Sequence, residues 1–193
     1  MLCETTFGEP GSVAGVDIGI QGQRARGAVV VLAWPGLEEI ERAVAEQPVS
    51  FPYVPGLLGF REVPCLIEAF ERLRTRPDVA LVDGQGRAHP RRFGLACHLG
   101  VALDLPTVGV GKSRLVGQHR EPGTRRGSRA QLVHQGEVIG AVVRTRDGVK
   151  PVYVSIGHRV DLETAVRLVL QSTTRFRLPE PIRAAHRAAA GTE

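Results

Sequence analysis

The chain has 193 residues, of which 42% are hydrophobic and 23% are charged, and its 25 Lys and Arg residues against 20 Asp and Glu give a net charge of +5. This composition is typical of a globular domain, excludes a disordered chain, a collagen and a coiled coil, and favours a polyanionic partner. No apolar run approaches the roughly 18 residues of a membrane span, and the first residues lack the pattern of a signal peptide. We therefore expect a soluble cytoplasmic protein with no membrane partner.

The first half of the chain combines apolar strands with one helical segment. A buried strand is expected at 13–20, with a hairpin partner at 28–33 across a glycine-rich turn. Residues 37–44 fit a third strand or a short helix. Two prolines in the loop 51–56 exclude a regular ladder there, and the helix that follows is expected to carry Pro64 in its first turn.

The second half alternates strands and helices. From residue 78 the pattern predicts a strand at 79–83, a helix at about 91–103, strands at 107–110, 131–134, 138–144 and 152–156, a helix capped by Asp161, and a short helix in the C-terminal tail. The segment 120–129 is basic and rich in glycine, and we expect it to be mobile. These elements predict an α/β fold in which helices flank a mixed central β-sheet. We expect a single domain over residues 1–193, with a short N-terminal segment (1–12) and a tail from about 177 to 193.

Three acidic residues stand within otherwise apolar elements. Asp17 interrupts the first strand, and its same-face neighbours Gly15 and Gly19 predict a space beside the carboxylate that suits a metal or a phosphate. Asp83 ends a strand at the edge where open α/β sheets bind their ligands. Glu62 shares the apolar stripe of the predicted helix, so its carboxylate is expected to point inward.

Each acid also has a structural explanation. Asp17 could pair with an arginine, Asp83 could cap a helix or a turn, and Glu62 could cap a helix N-terminus. Three inward carboxylates from three elements favour a hard cation, Mg²⁺ or Mn²⁺, held by their oxygens with positions left for phosphate and water.

Lysine is rare in this chain, and only Lys112 and Lys150 occur among the 25 cations. Lys112 follows a predicted strand and lies between a glycine and a serine, as in a phosphate-binding loop. That motif needs a glycine six residues before the lysine, where this chain has Pro106, so we expect no nucleotide cofactor. A compact ammonium group at a strand end suits contact with a scissile phosphate. Among the histidines, His89 and His186 are candidates for the site, although an isolated histidine is more often structural.

Four blocks of sequence resemble the endonuclease V family, and they occur in the order of that family. They are GVDI at 15–18, PYVPGLLGFRE at 52–62, VDGQGRAHPR at 82–91 and GVGKS at 109–113. The resemblance implies a ribonuclease H-like fold and Mg²⁺-dependent hydrolysis, with Mn²⁺ able to substitute. It also implies a substrate of inosine-containing DNA or RNA, cut at the second phosphodiester 3′ to the inosine to leave 3′-hydroxyl and 5′-phosphate ends.

The resemblance also implies roles for individual residues. Asp17 and Asp83 match metal-binding aspartates, Glu62 matches the third acidic residue, and Lys112 and His186 match basic residues near the scissile phosphate. The residues matched to base recognition are Tyr53 as a wedge that replaces the displaced base, Gly56, Leu58, Gly94, Leu95 and Gly109 as the hypoxanthine pocket, and His89 in a supporting role. Gly19 and Gly59 depart from the family pattern, which has serine or another small residue there.

Two other functions remain open from the sequence. Another ribonuclease H-like nuclease, such as a junction resolvase, would use the same carboxylates without needing the wedge. A non-catalytic module that binds single-stranded nucleic acid would account for the positive charge and for Tyr53, but would leave the three acids unexplained. The sequence does not choose between DNA and RNA, and we expect a monomer.

Overall fold

The structure is a computed structural model that describes residues 8–49, 51–52, 54 and 58–192. Within this part of the chain there are eight strands and four helices. In chain order they are β1 (Ser12–Gln21), β2 (Arg24–Ala33), β3 (Glu39–Pro48), α1 (Leu58–Glu71), β4 (Val79–Val82), α2 (Leu95–Leu103), β5 (Thr107–Gly111), β6 (Arg129–His134), β7 (Glu137–Val143), β8 (Val152–His158), α3 (Leu162–Gln171) and α4 (Glu180–Ala190).

The strands form one mixed sheet in the order β3-β2-β1-β4-β5-β8-β7-β6. β1, β4 and β5 are parallel to one another, and the other neighbours are antiparallel. The predicted α/β fold with a mixed central sheet is confirmed, and this strand order fits the ribonuclease H-like fold that the resemblance implies.

The helices cover both faces of the sheet. Apolar residues of α1 and α2 form one core with one face, and those of α3 and α4 form a second core with the other face. Alternate residues of β1 divide between the two cores: Val13 contributes to the α3/α4 core, while Ala14 and Val16 contribute to the α1/α2 core. By this alternation Asp17 belongs to the face of β1 that α4 covers. No helix among the described residues combines the length and apolar character that crossing a membrane requires.

Several predicted boundaries need correction. Residues 39–48 form a strand, so the helical alternative for 37–44 is wrong. Helix α1 begins by Leu58, which places Pro64 at the seventh helical position instead of in the first turn. Proline there removes one helical hydrogen bond, and the buried contacts of Val63 and Leu66 on the same helix offset that loss. The helix of the C-terminal tail is 11 residues long and is therefore not the short helix expected.

The basic segment 120–129 is tied to the body of the protein by buried Arg144. Its guanidinium donates hydrogen bonds to the carbonyl oxygens of Gly123 (3.0 Å) and Pro122 (3.1 Å) and to the carboxylate of Glu121 (2.7 Å). These bonds argue against the mobility expected for the segment.

Candidate active site

The ends of the parallel strands bring the predicted residues together. Asp17 lies near the end of β1, Asp83 follows β4, and Lys112 follows β5. The backbone N–H of Asp83 donates to the carbonyl of Val16 at 2.9 Å, so the two aspartates occupy neighbouring positions on adjacent strands. The three parallel strands therefore bring Asp17, Asp83 and Lys112 to one edge of the sheet.

Helix α4 supplies the histidine of the site by lying directly on β1. A Cβ atom at Gly15 would be 1.8 Å from the carbonyl oxygen of Pro181, so only glycine allows the helix to approach this closely. At Gly19 the nearest atom of α4 would be 3.7 Å away. Helix α4 therefore fills the space beside Gly15, whereas Asp17 and Gly19 line an open cleft. His186 of α4 donates from Nδ1 to Asp17 Oδ2 at 2.7 Å. The partner of Asp17 is this histidine and not an arginine.

Asp83 pairs with the lysine that the sequence singled out. Lys112 Nζ lies 2.5 Å from Asp83 Oδ2, with the lysine side chain 43% exposed and the aspartate side chain 10% exposed. Burial raises the pKa of Asp83, the nearby charge of Asp17 raises it further, and the hydrogen bond from Lys112 lowers it. Asp83 therefore takes part in an ion pair at the site and does not serve as a simple turn cap.

Glu62 is a buried carboxylic acid close to both aspartates. It is 8% exposed and occupies the fifth position of α1, so the alternative that it caps the helix N-terminus is wrong. Burial raises the pKa of Glu62 to about 7, and the charges of Asp17 and Asp83 add to the rise while Arg61 opposes it. Three mutually repelling acids thus meet in one region of low solvent access.

The residues present fit a divalent cation. One ligand atom each from Asp17, Asp83 and His186 lies within 4.8 Å of the other two. Carboxylate oxygens are the ligands that Mg²⁺ and Mn²⁺ prefer, and a cation would offset the repulsion among the three acids. Glu62 lies outside this cluster of three and adds a neighbouring negative charge.

Asp17 opens onto a cleft of about 630 Å³ whose basic lining the sequence analysis did not identify. Asp17, Lys112 and His186 line it together with Arg24 and Arg26 of β2. The hairpin register pairs Arg24 with Gln21 and Arg26 with Gly19, so the alternation of β2 carried a signal for this placement. The cleft thus joins the candidate metal ligands to positive charge suited to a phosphate backbone.

The backbone of Lys112 and Ser113 is held from two sides by residues that the sequence analysis did not identify as functional. Gln85, two residues after Asp83, donates from Nε2 to the carbonyl of Ser113 at 3.0 Å. Arg177 donates to the carbonyls of Lys112 (2.6 Å) and Pro151 (2.8 Å). These bonds couple the position of Lys112 to the loop that carries Asp83 and to the segment before α4.

Three of the five residues matched to a base pocket lie around the loop that follows Asp83. A Cβ atom at Gly94 would be 2.3 Å from the carbonyl oxygen of Gln85, and one at Gly109 would be 2.3 Å from the backbone nitrogen of Gly86. The side chain of Leu95 lies against Gly84, where an added Cβ atom would be 3.4 Å from it. Both glycines are thus required for close packing of backbone segments.

Of the remaining residues matched to base recognition, the structure describes the surroundings of His89 only. Tyr53 and Gly56 lie outside the described residues, and Leu58 is described only as the first residue of α1. His89 is buried, and its Nδ1 accepts a hydrogen bond from the backbone N–H of Arg91 at 3.2 Å. Burial lowers the pKa of His89, and Arg91 lowers it further. These contacts are local, and His89 does not join the cluster of metal-ligand atoms.

The chain is similar to known proteins over most of its length. The family model described as Endonuclease V matches residues 3–187. The Endonuclease V of Trichormus variabilis is 54% identical over 179 residues, which are 92% of this chain and 81% of the relative. A crystal structure of Endonuclease V from Streptomyces avermitilis superposes with a TM-score of 0.94 at 44% identity and covers 99% of this chain and 85% of that one.

A second solved structure shows a related protein with nucleic acid. It is the Ciona intestinalis Endonuclease V in complex with a 24mer DNA containing an inosine followed by a ribo-adenosine. The similarity has a TM-score of 0.85 at 26% identity and covers 98% of this chain and 90% of that one.

Proposed function

The chain belongs to the endonuclease V family of nucleases, and we propose that it cleaves nucleic acid next to inosine or deoxyinosine with Mg²⁺ as its cofactor. As a member of this family it is a hydrolase of phosphodiester bonds. The observation that carries the proposal is the cluster of Asp17, Asp83 and His186, whose ligand atoms lie within 4.8 Å of one another at a basic cleft. We further propose that it acts as a monomer in the cytoplasm.

The chemistry assigns each side chain a part. Asp17, Asp83 and His186 would hold the divalent cation, with Glu62 as a buried acid beside them. A cation at this site would supply a Lewis acid for the phosphoryl group and would acidify the attacking water, and Mn²⁺ has the same ligand preference.

The basic residues act on the substrate. Lys112 Nζ is partly exposed at the cleft, where its charge offsets the negative charge that develops on the attacked phosphate. The hydrogen bond between His186 and Asp17 fixes the imidazole at the same place, and Gln85 and Arg177 hold the Lys112 backbone.

Base recognition is proposed from the residues matched to the family. Tyr53 is proposed to fill the space of a displaced base, and Gly56, Leu58, Gly94, Leu95 and Gly109 are proposed to form the hypoxanthine pocket, with His89 in support. Displacing a base costs least when it is mismatched or single-stranded, which favours inosine over paired bases. The placement of Gly94, Leu95 and Gly109 around one loop supports this assignment.

The pocket and the acids belong to different segments, so the recognised base and the attacked phosphate need not belong to one nucleotide. We propose hydrolysis of the second phosphodiester 3′ to the inosine. In-line attack by water on that phosphate expels the 3′ oxygen and leaves 3′-hydroxyl and 5′-phosphate ends.

The test compares cleavage of matched single-stranded DNA and RNA oligonucleotides, with and without one inosine, in Mg²⁺, in Mn²⁺ and in EDTA. We expect metal-dependent cleavage of the inosine strands only, with the cut mapped on a sequencing gel to the second phosphodiester. Asp83→Asn should abolish the cut while binding persists, because it removes a ligand charge without adding bulk.

Other outcomes would overturn the proposal in distinct ways. Cleavage of branched DNA without inosine preference would indicate a junction resolvase. Binding without cleavage by the wild-type protein would indicate a non-catalytic module. A free hypoxanthine product, or a 2′,3′-cyclic phosphate end, would contradict the proposed hydrolysis.

A further inference from the structure

Four aromatic rings form a continuous row on the α1/α2 side of the molecule. The ring centroids of Phe51 and Phe60 are 5.9 Å apart, those of Phe60 and His98 are 5.0 Å apart, and those of His98 and Phe93 are 5.7 Å apart. Phe60 is 55% exposed and Phe93 is 41% exposed. Single exposed apolar residues are common on proteins, but rings in mutual contact at the surface indicate a binding surface.

Two rings of the row are close in sequence to residues of the candidate site. Phe60 stands on α1 two residues before Glu62, and Phe93 directly precedes Gly94, the N-cap of α2. The departure from the family pattern at Gly59 has a physical explanation here, because a Cβ atom at that position would be 2.7 Å from His98 Nδ1. Glycine thereby lets the ring of His98 pack against α1 and connect Phe60 to Phe93.

A cation with an unmet hydrogen-bonding requirement adjoins the row. Arg61 lines an open depression of about 360 Å³ together with Phe51 and Pro52. Its Nε is buried and has no hydrogen-bond partner among the described residues. A buried donor left without an acceptor destabilises a protein, and an oxygen of a bound anion would satisfy it.

We propose that Phe51, Phe60, His98 and Phe93 form a stacking surface for nucleobases that flank the recognised base in a single strand, with Arg61 contacting a phosphate of the same strand. Bases stack on aromatic rings largely irrespective of sequence, while the phosphates between them require cations. An apolar protein segment would cover the rings but would bring no negative charge to the guanidinium of Arg61. The inference rests on the proposed function only for the identity of the strand.

Binding in EDTA separates this surface from catalysis. Anisotropy of a labelled single-stranded oligonucleotide should show at least about fivefold weaker binding for Phe60→Ala and for Phe93→Ala, with a larger loss for the double variant. The loss should be similar with and without inosine, since stacking on these rings does not read the base. Phe60→Tyr should retain wild-type affinity because it keeps a ring.

A matched control removes another exposed ring. Phe176 is 42% exposed and lies outside the row, where the guanidinium of Arg183 covers it at 3.4 Å from the ring centroid. Phe176→Ala should leave the affinity unchanged. Circular dichroism of each variant confirms that these surface changes preserve the fold.

A second measurement reports stacking directly. Oligonucleotides with 2-aminopurine at successive positions beside the inosine should show quenched fluorescence at one or more positions with the wild-type protein and not with the double variant. Arg61→Gln should weaken binding and lower its salt dependence, as loss of one phosphate contact predicts.

The outcomes distinguish the two proposals. Unchanged affinity and unchanged quenching in the double variant, with inosine-specific cleavage intact, would overturn the stacking surface and leave the proposed function standing. If the wild-type protein shows no specificity for inosine while the phenylalanine variants still bind more weakly, the proposed function is overturned and the stacking surface stands.

Discussion

At the scale of single residues, the site concentrates negative charge in a way that lowers the stability of the fold. Asp17 and Asp83 each have a basic partner, His186 and Lys112, whereas Glu62 is buried beside both of them. The sequence predicted the inward direction of Glu62 from its helical stripe. It could not predict the rise in its pKa, which depends on distances between elements far apart in the chain.

Glu62→Gln tests this description in metal-free protein. The pKa of Glu62 is about 7 in the folded state, above its ordinary value of 4.5, so its contribution to stability is fully present below pH 4.5 and is lost as the pH rises through 7. We expect the free energy of unfolding of the wild type to fall, relative to the variant, by about 3 kcal/mol between these limits. Urea unfolding at a series of pH values measures the difference.

A surface carboxylate provides the control for the same chemical change. Glu163 is 74% exposed on α3, and Glu163→Gln should show no comparable dependence on pH relative to the wild type. A constant difference between the wild type and Glu62→Gln at all pH values would contradict the assigned burial and repulsion at Glu62.

At the scale of elements, local patterns predicted what depends on neighbours in sequence. The turn at Gln135-Gly136 has positive φ at both residues, as a two-residue turn between antiparallel strands requires. Asp161 caps α3 as predicted, since its side chain accepts a hydrogen bond from the backbone N–H of Thr164. The segment 37–44 was ambiguous because it belongs to an edge strand, in which charged residues weaken the apolar alternation.

The seating of α4 on β1 could not be predicted in the same way. Gly15 and Gly19 predicted a space beside Asp17 for a metal or a phosphate, but not that the backbone of a helix more than 160 residues later lies against Gly15. Glycines in a sequence indicate that a group can approach the backbone closely, but they do not identify that group. The same limit applies to Gly94 and Gly109, whose close neighbours are other backbone segments.

Gly15→Ala and Gly19→Ala form a matched pair that tests this seating. The methyl group at Gly15 would overlap the carbonyl of Pro181, whereas at Gly19 the nearest atom would be 3.7 Å away. We expect Gly15→Ala to lower the free energy of unfolding by at least about 2 kcal/mol and to reduce cleavage, because α4 and its His186 must shift. Gly19→Ala should unfold like the wild type. Equal melting temperatures for the two variants would show that α4 does not pack closely on β1 at Gly15.

At the scale of the whole molecule, the distribution of charge matters more than its sum. The net charge of +5 favours a polyanion but does not locate it. The cleft supplies the location, since Arg24 and Arg26 lie beside Lys112 and His186 where the three parallel strands end. Both arginines contact Glu46, but at this surface such pairs contribute little and leave the arginines available to phosphates.

Arg24→Gln and Arg74→Gln separate location from total charge. Both side chains are strongly exposed, at 75% and 90%, and each change lowers the net charge by one, but only Arg24 lines the cleft. Each phosphate contact to a single strand contributes about −0.7 to the slope of log K against log salt concentration. We expect Arg24→Gln to lower the magnitude of that slope by about this amount, equally for strands with and without inosine, and Arg74→Gln to leave it unchanged. Anisotropy titrations in EDTA over a range of KCl concentrations give both slopes. Equal reductions of the slope in the two variants would mean that binding depends only on the overall charge of the protein. A reduction in Arg74→Gln alone would show that the strand binds away from the acids.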